Sequence, residues 1–451
     1  MRFCVVTLGC KVNQYETQAM AEVLISRGHV MVKQSDAFDI CIVNTCAVTQ
    51  ESARKSRQAI RHAKRTSPDA LVAVCGCLSQ IEPSTIEELG ADLIGGSHDR
   101  LEFALEVEKR KALSSTAPRR GVACNTHPHT GGTLPSNGDK PPPNFEALPP
   151  GAMENRTRGL LKIQDGCDNR CAYCVIPQAR GPARSLPLAQ VAEYAIQLAE
   201  RGYREIVITG IEISSYGSDL PGNPTLADAI HAIAKAAPAI RLRLGSLDPS
   251  ITTESFCAEL QAIPNLCEHF HLSLQSGCDD TLLRMGRRYD TRAANEAIKE
   301  LRRRFKNCGI SADLITGFPG ETEEEFAQTM TFIRAAAFSR MHIFPYSPRK
   351  GTRAADMPNQ VDKATRQERA RIASSAAREM SRAFAQSQIG KTAEVLFERQ
   401  QNGISFGYSR NYIEIAVKNG AERNSIRNVQ ITAADDDYVW GKMYHYMGGS
   451  L

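Results

Sequence analysis

Three cysteines, Cys167, Cys171 and Cys174, stand with three residues and then two between them in DGCDNRCAYCVIPQARGPAR (165–184). A loop this short reads as a metal claw of three thiolates. A structural zinc closes its tetrahedron with four ligands and a ferredoxin cluster takes four cysteines, so three with no fourth Cys or His close by suggest an iron-sulfur cluster with one open iron. A substrate or cofactor can bind at that iron. The alternative is a zinc knuckle that draws its fourth ligand from elsewhere.

A second set emerges from the elements that must carry it. A β-branched run at 3–8 is followed by Gly9 and Cys10 and by an amphipathic pattern over 14–27 that stops at Gly28. A second apolar run, 40–44, leads to Thr45 and Cys46 and a polar helix over 50–65. A third, 71–74, ends in Cys75, Gly76 and Cys77. Alternating strands and helices predict a parallel sheet with helices covering it, and such sheets bind ligands at the carboxyl ends of their strands. Cys10, Cys46 and Cys77 each fall one or two residues past a strand, which predicts convergence on one edge. Cys4 and Cys41, inside their strands, read as small buried hydrophobes. Cys75 competes with Cys77 but still lies within the strand register.

The chain has 451 residues, enough for two or three domains, and a net charge of only +5. Its fourteen cysteines without regular pairing, with no signal peptide and no apolar run long enough to span a membrane, predict a reducing cytosol.

Tyr173 precedes the last cysteine of the first loop, and C-x3-C-x-aromatic-C resembles the signature of the radical S-adenosylmethionine enzymes. The resemblance implies a 4Fe-4S cluster on Cys167, Cys171 and Cys174, S-adenosylmethionine chelating its fourth iron, and Tyr173 beside the adenine. LGCKVNQYET, VNTCAVT and CGCLSQ, taken with that loop, resemble the methylthiotransferase family. By that resemblance Cys10, Cys46 and Cys77 bind an auxiliary 4Fe-4S cluster.

Six candidate strands follow, at 160–164, 205–209, 241–245, 270–274, 310–316 and 341–345, separated by helical patterns. They predict an open (βα)6 partial barrel with its site on the carboxyl-terminal rim, and the cluster loop follows the first strand as that requires. At the rim the family resemblance puts Gly210 and Glu212 near the methionyl end of S-adenosylmethionine, although the family more often has Asn or His where Glu212 stands. It also implies cofactor contacts for Ser273, Gln275 and Asp313. Each residue has a plainer reading, because glycines at strand ends make turns and Glu323–Glu325 would complement a helix dipole. MGRRY presents Arg287 and Arg288 in tandem, either a solvated face or, by resemblance, an RNA contact near the substrate entrance.

Residues 114–155 are rich in Pro and Gly, with few large apolar side chains, and read as a linker or surface insertion; Cys124, His127 and His129 there read as incidental. Residues 349–410 carry 12 Lys+Arg against 6 Asp+Glu, so charge is concentrated. A long helix over 363–387 leads to short segments at 392–398, 405–408, 412–417 and, after a linking region, 440–446, which suggest a small antiparallel barrel. GYSRNYIEIAV resembles the TRAM domain, and Tyr408, Arg410, Asn411 and Tyr412 combine aromatic stacking with a cation as an RNA grip would. The alternative is a barrel that only stabilises the chain.

The expected architecture is thus α/β: a doubly wound amino-terminal domain (1–113), the insertion (114–155), the partial barrel (156–388) and a TRAM-like barrel (389–451). The family implies two 4Fe-4S clusters and S-adenosylmethionine, with no side chain needed as general acid or base in the radical step. One cluster would generate a 5′-deoxyadenosyl radical and the other would supply sulfur, methylated by a second S-adenosylmethionine. GCKVNQYET, DLITGFPGETEEEF and HIFPYSPRKGT look closest to the branch acting on N6-threonylcarbamoyladenosine next to the tRNA anticodon. Isopentenyladenosine in tRNA and a ribosomal-protein aspartate are the other substrates within the family, and an RNA-binding iron-sulfur redox sensor is the reading outside it. Implied partners are the tRNA anticodon stem-loop, a small electron-donor protein such as a flavodoxin or ferredoxin, and a sulfur donor, with no membrane.

Overall fold

The structure, a computed structural model, describes residues 1–116, 132–133, 144–151, 156–418 and 420–444. Cys124, His127, His129 and the end of the expected segment 440–446 lie outside them. No helix among the described residues is long and apolar enough to cross a membrane.

The amino-terminal sheet is parallel throughout, in the order Val30–Met31, Arg2–Thr7, Ile40–Thr45, Leu71–Gly76, Leu93–Ile94 and Gly132–Thr133. Its faces follow the two-residue alternation of a strand. Ile40 and Ile42 pack with Met20 and Leu24 of helix Lys11–Ser26 and with Phe103 of helix Arg100–Thr116. Cys41 and Val43 pack on the other face with Ala53 and Ile60 of helix Gln50–Thr66. Both faces are covered, as an all-parallel sheet demands. Cys4 and Cys41 are register partners in the sheet and both are buried.

All six strands of the partial barrel form: Arg158–Lys162, Glu205–Thr209, Arg241–Leu244, His269–Gln275, Gly309–Thr316 and Arg340–Pro345. The third breaks at Gly245 and resumes as Ser246–Leu247, which pairs with the fourth. Phe270, Leu272 and Leu274 point outward into the largest core. The alternate residues, His269 and His271 among them, therefore face the lumen.

The expected insertion is in part built into the fold. Its first residues complete helix Arg100–Thr116. Further on, Leu148 is buried, its carbonyl accepts from the Tyr15 hydroxyl, and the Glu146 carboxylate accepts from the backbone N–H of Arg100. Helix Lys363–Gln386, capped by Asp362, leads to a closed barrel in the order Thr392–Gln401, Ile404–Ser409, Glu414–Lys418, Val439–Met443 and Ile426–Ala434. The region read as linking supplies that last strand. Only Val429 and Ile431 of IRNVQITAA are fully buried, and a bulge before Ala433 breaks its alternation.

Candidate metal centre and cofactor cleft

Cys10, Cys46 and Cys77 lie past the carboxyl ends of three strands that are neighbours in the sheet. Gly9 takes φ +100°, and a Cβ there would sit 2.8 Å from Cβ and 2.9 Å from Sγ of Cys46, so only glycine lets these loops close together. Cys10 is the N-cap residue of helix Lys11–Ser26 and Cys77 the first residue of helix Cys77–Ile81. Side chains tie the loops to one another. The Asn13 amide donates to the carbonyls of Leu8 (2.8 Å) and Thr45 (3.0 Å). The Thr45 hydroxyl donates to the Cys75 carbonyl (2.7 Å) and accepts from the backbone N–H of Ser79 (3.3 Å). Burial pushes the Cys77 thiol up to about 11 and raises that of Cys46. Such thiols stay protonated until a metal displaces the proton.

At the second set, each sulfur receives one N–H: the backbone of Asn169 to Cys167 (3.4 Å), Nη1 of Arg287 to Cys171 (3.2 Å), and the backbone of Ile176 to Cys174 (3.4 Å). Three donors converging on three sulfurs fit thiolates that ligate a cluster. Burial pushes Cys167 up to about 11 and Cys174 up to about 12. Tyr173 lies edge-on to Phe318 at 6.4 Å, in the apolar patch with Met285 and Tyr346.

The two sets meet. Helix Ile176–Arg180, which follows Cys174, packs on helix Cys77–Ile81, and its Val175 and Ala179 fill the same apolar cluster as Cys77 and Leu78. Behind this contact lies a buried ionic network that the sequence did not reveal. Glu16 accepts from Arg180 (2.7 Å), Lys162 (2.9 Å) and Arg100 (3.1 Å). Asp165, two residues before Cys167, accepts from Arg180 (2.9 Å) and pairs with Lys162 (2.7 Å). Arg180 also donates to Asn13 (2.7 Å), three residues past Cys10. Burial would raise the Asp165 carboxyl, but Arg180 and Lys162 outweigh it and hold it at about 2.

Other rim residues fall near the second cysteine set. A Cβ on Gly210 would meet Ile213 at 2.9 Å and Gln164 at 3.0 Å. Glu212 caps the turn Ile213–Ser215, and its carboxyl is raised by burial and by Asp248. Gln275 takes φ +63° at a bulge. The Ser273 carbonyl accepts from the Tyr289 hydroxyl (2.6 Å) and from Arg287 (3.3 Å). Asp313 lies 3.3 Å from His271 within the lumen.

The expected RNA contacts are arranged differently. Arg288 is exposed, whereas the Arg287 side chain is only 6% exposed, ion-paired to Asp248 at 2.6 Å and turned onto Cys171. Tyr408, Arg410, Asn411 and Tyr412 face inward and plug the amino-terminal end of the partial barrel. Tyr412 stacks on Tyr408 (4.8 Å) and His269 (4.6 Å), beneath Arg243 (4.6 Å). Arg410 donates to the carbonyl of Pro264 (2.9 Å), and Asn411 to that of Asn307 (3.0 Å). An aromatic and cationic set is as good a domain interface as an RNA surface, and composition alone does not separate the two. The outward aromatic run, Phe406, Tyr438 and Trp440 with Arg399 and Lys418 over their rings, went unnoticed in the sequence.

Residues 161–333 match the family model described as Radical SAM superfamily, and residues 2–96 match that described as Uncharacterized protein family UPF0004. The chain is 33% identical to the threonylcarbamoyladenosine tRNA methylthiotransferase MtaB of Bacillus subtilis, over 97% of this chain and 95% of that one. It is 30% identical to the tRNA-2-methylthio-N(6)-dimethylallyladenosine synthase of Alkaliphilus oremlandii, over 88% and 82%. Its fold resembles the radical S-adenosylmethionine methyltransferase TsrM from Kitasatospora setae, with TM-score 0.54 and 16% identity over 89% of this chain and 79% of that one. The chain belongs to the radical S-adenosylmethionine tRNA methylthiotransferases, enzymes that use S-adenosylmethionine and two 4Fe-4S clusters.

Proposed function

We propose that the chain methylthiolates C2 of N6-threonylcarbamoyladenosine at position 37 of tRNA, giving the 2-methylthio nucleoside. Cys167, Cys171 and Cys174 hold the cluster that binds S-adenosylmethionine, and Cys10, Cys46 and Cys77 hold the auxiliary cluster. The observation that supports one shared site is the packing of helix Ile176–Arg180, which begins two residues past Cys174, on helix Cys77–Ile81, which begins at Cys77. Bound there, the clusters and S-adenosylmethionine supply a carbon-centred radical for hydrogen abstraction, a sulfur atom and a methyl group.

The chain's own residues position and shield. Arg287 places a guanidinium and an N–H donor on Cys171 while fixed by Asp248. Arg180, locked between Glu16 and Asp165, holds the Asn13 loop against the radical domain. Tyr412 and its neighbours plug the far end of the lumen. The threonylcarbamoyl branch is supported by the extent of the match to the Bacillus subtilis relative.

Nucleoside mass spectrometry of tRNA from cells lacking this protein, before and after its restoration, tests the reading. Loss and return of 2-methylthio-N6-threonylcarbamoyladenosine upholds it. An unchanged level, with a change in the isopentenyl counterpart or in a ribosomal protein, overturns the branch and leaves the two-cluster assignment standing.

A further inference from the structure

The cations of helix Gln50–Thr66 have no part in the site described above. The helix carries six Lys+Arg against one acid, Glu51, a formal excess equal to the +5 of the whole chain. The rest of residues 1–113 carries eight Lys+Arg against thirteen Asp+Glu, so that domain is neutral in sum with its positive charge gathered on one helix. Ala53, Ile60 and Ala63 turn to the sheet. On the opposite side Arg54, Gln58, Arg61 and Arg65 recur at i, i+4, i+7 and i+11, one exposed line about 16 Å long.

Few carboxylates answer these cations. Glu51 is taken by Arg54 (2.7 Å), with Lys55 at 3.6 Å from the same group. Asp92 is taken by Lys64 (2.6 Å), and Glu82 is shared by Arg57 (3.4 Å) and Arg349 (3.7 Å). Arg65 reaches only the His62 ring (3.4 Å), and Arg61 has no partner among the described residues. Arg57 and Arg61, and again Arg61 and Arg65, stand four residues apart, where like charges destabilise a helix. An anion laid along the line would relieve that repulsion. Other basic segments offer less. On helix Lys363–Gln386, Arg369 pairs with Glu321 and Glu323, Arg371 with Glu368, and Arg382 with Asp436. The carboxyl-terminal barrel is balanced, with seven Lys+Arg against seven Asp+Glu over 391–444.

The line begins beside the cleft. The helix starts four residues past Cys46, and Gln50 ties it to the loop that follows the sixth barrel strand. The Gln50 backbone N–H donates to the Ser347 hydroxyl (3.0 Å) and its side-chain amide to the Pro348 carbonyl (3.1 Å). That loop adds exposed Lys350 and Arg353, and Arg353 donates to the carbonyl of Arg170 in the radical loop (3.0 Å). A positive track thus runs from the cysteine loops outward along the helix. It is rich in Arg, which matches phosphate geometry, and its exposed line has no apolar residue around which a protein interface could form.

We infer that helix Gln50–Thr66 grips the phosphodiester backbone of the substrate RNA, with Arg54, Arg61 and Arg65 on neighbouring phosphates while the nucleotide to be modified enters the cleft. The inference rests on the reading of the substrate as a tRNA, and not on which base is modified, because phosphate contacts position an RNA without reading its sequence.

Fluorescence anisotropy of a labelled tRNA anticodon stem-loop, titrated with the cluster-loaded protein across a salt series, tests it. The double variant Arg61→Gln with Arg65→Gln should bind about tenfold more weakly and lower the slope of log K against log salt by roughly 1.5–2. Arg61→Glu with Arg65→Glu should bind more weakly still. Tm of the Gln variant should not fall, since it relieves like-charge repulsion, whereas a merely structural role would lower it. Binding within about twofold of wild type with an unchanged slope overturns the inference, and slower reduction of that variant by a flavodoxin would then make the line a dock for an acidic protein. In that case methylthiolation of the threonylcarbamoyl stem-loop by wild type leaves the proposed function standing. If the variant loses affinity as expected but wild type modifies only an isopentenyladenosine stem-loop, the branch falls and the grip stands.

Discussion

Replacing Glu16 by Gln should cost more stability than any surface change in this chain. The carboxylate is fully buried and faces Arg100, Lys162 and Arg180, themselves 0–1% exposed. Gln keeps the shape and removes the charge. Lys162 and Arg180 retain Asp165, but Arg100 is left with the Gly96 carbonyl (2.6 Å) and no ionic partner. Orphaning one member of a buried ion pair costs about 3–5 kcal/mol. At about 2–4 °C per kcal/mol for a unit of 150–250 residues, Tm should fall by roughly 6–20 °C. Thermal unfolding followed by circular dichroism, with and without clusters, measures it. A second substitution, Arg100→Gln, removes the orphan and should recover part of the loss, a coupling that two independent surface changes would not show. Burial works to raise the Glu16 carboxyl, but Arg180, Lys162 and Arg100 hold it well below the usual range. Its contribution is therefore complete above the unfolded carboxylate range near pH 4 and is lost as pH falls, so the wild-type advantage over Glu16→Gln should shrink in acid. A Tm within about 2 °C of wild type at neutral pH, or no recovery in the double variant, would refute the argument.

Cys171→Ala should abolish formation of 5′-deoxyadenosine on reduction, while Cys46→Ala should spare it and stop sulfur insertion; equal loss of both activities in both variants contradicts the assignment. Gly9→Ala forces a Cβ onto Cys46 at a φ of +100° and should lower the iron content by about half, with cleavage of S-adenosylmethionine retained. Arg287→Gln removes a cation 3.2 Å from the Cys171 sulfur, so the potential of that cluster should become more negative; an unchanged midpoint in an EPR-monitored titration excludes the electrostatic role. Burial opposes ionisation of Glu205, but Arg243 and Arg241 outweigh it and hold its carboxyl at about 2. Glu205→Gln should accordingly flatten the loss of stability between about pH 5 and pH 2, measured by urea unfolding across that range.

Strands and cysteine positions were legible because their signals are local. Apolar runs ending in glycine and cysteine mark strand termini, and the structure puts Cys10, Cys46 and Cys77 where those runs end. The buried network was not legible. Glu16 and Arg180 stand far apart in the chain, and nothing local tells a buried charge from a solvated one. The packing of Tyr408, Arg410, Asn411 and Tyr412 on the partial barrel was hidden for a related reason, because the sequence gives their types and not the side they face. Strand Ile426–Ala434 escaped because a bulge interrupts its period.

Val175 and Ala179 belong to the radical domain by sequence but to the amino-terminal domain by packing. A fragment cut at the apparent boundary would leave the amino-terminal sheet with a hole beside Cys77 and strip the radical loop of its backing. The two cysteine-bearing loops are thus braced by one apolar wall, to which each domain contributes side chains.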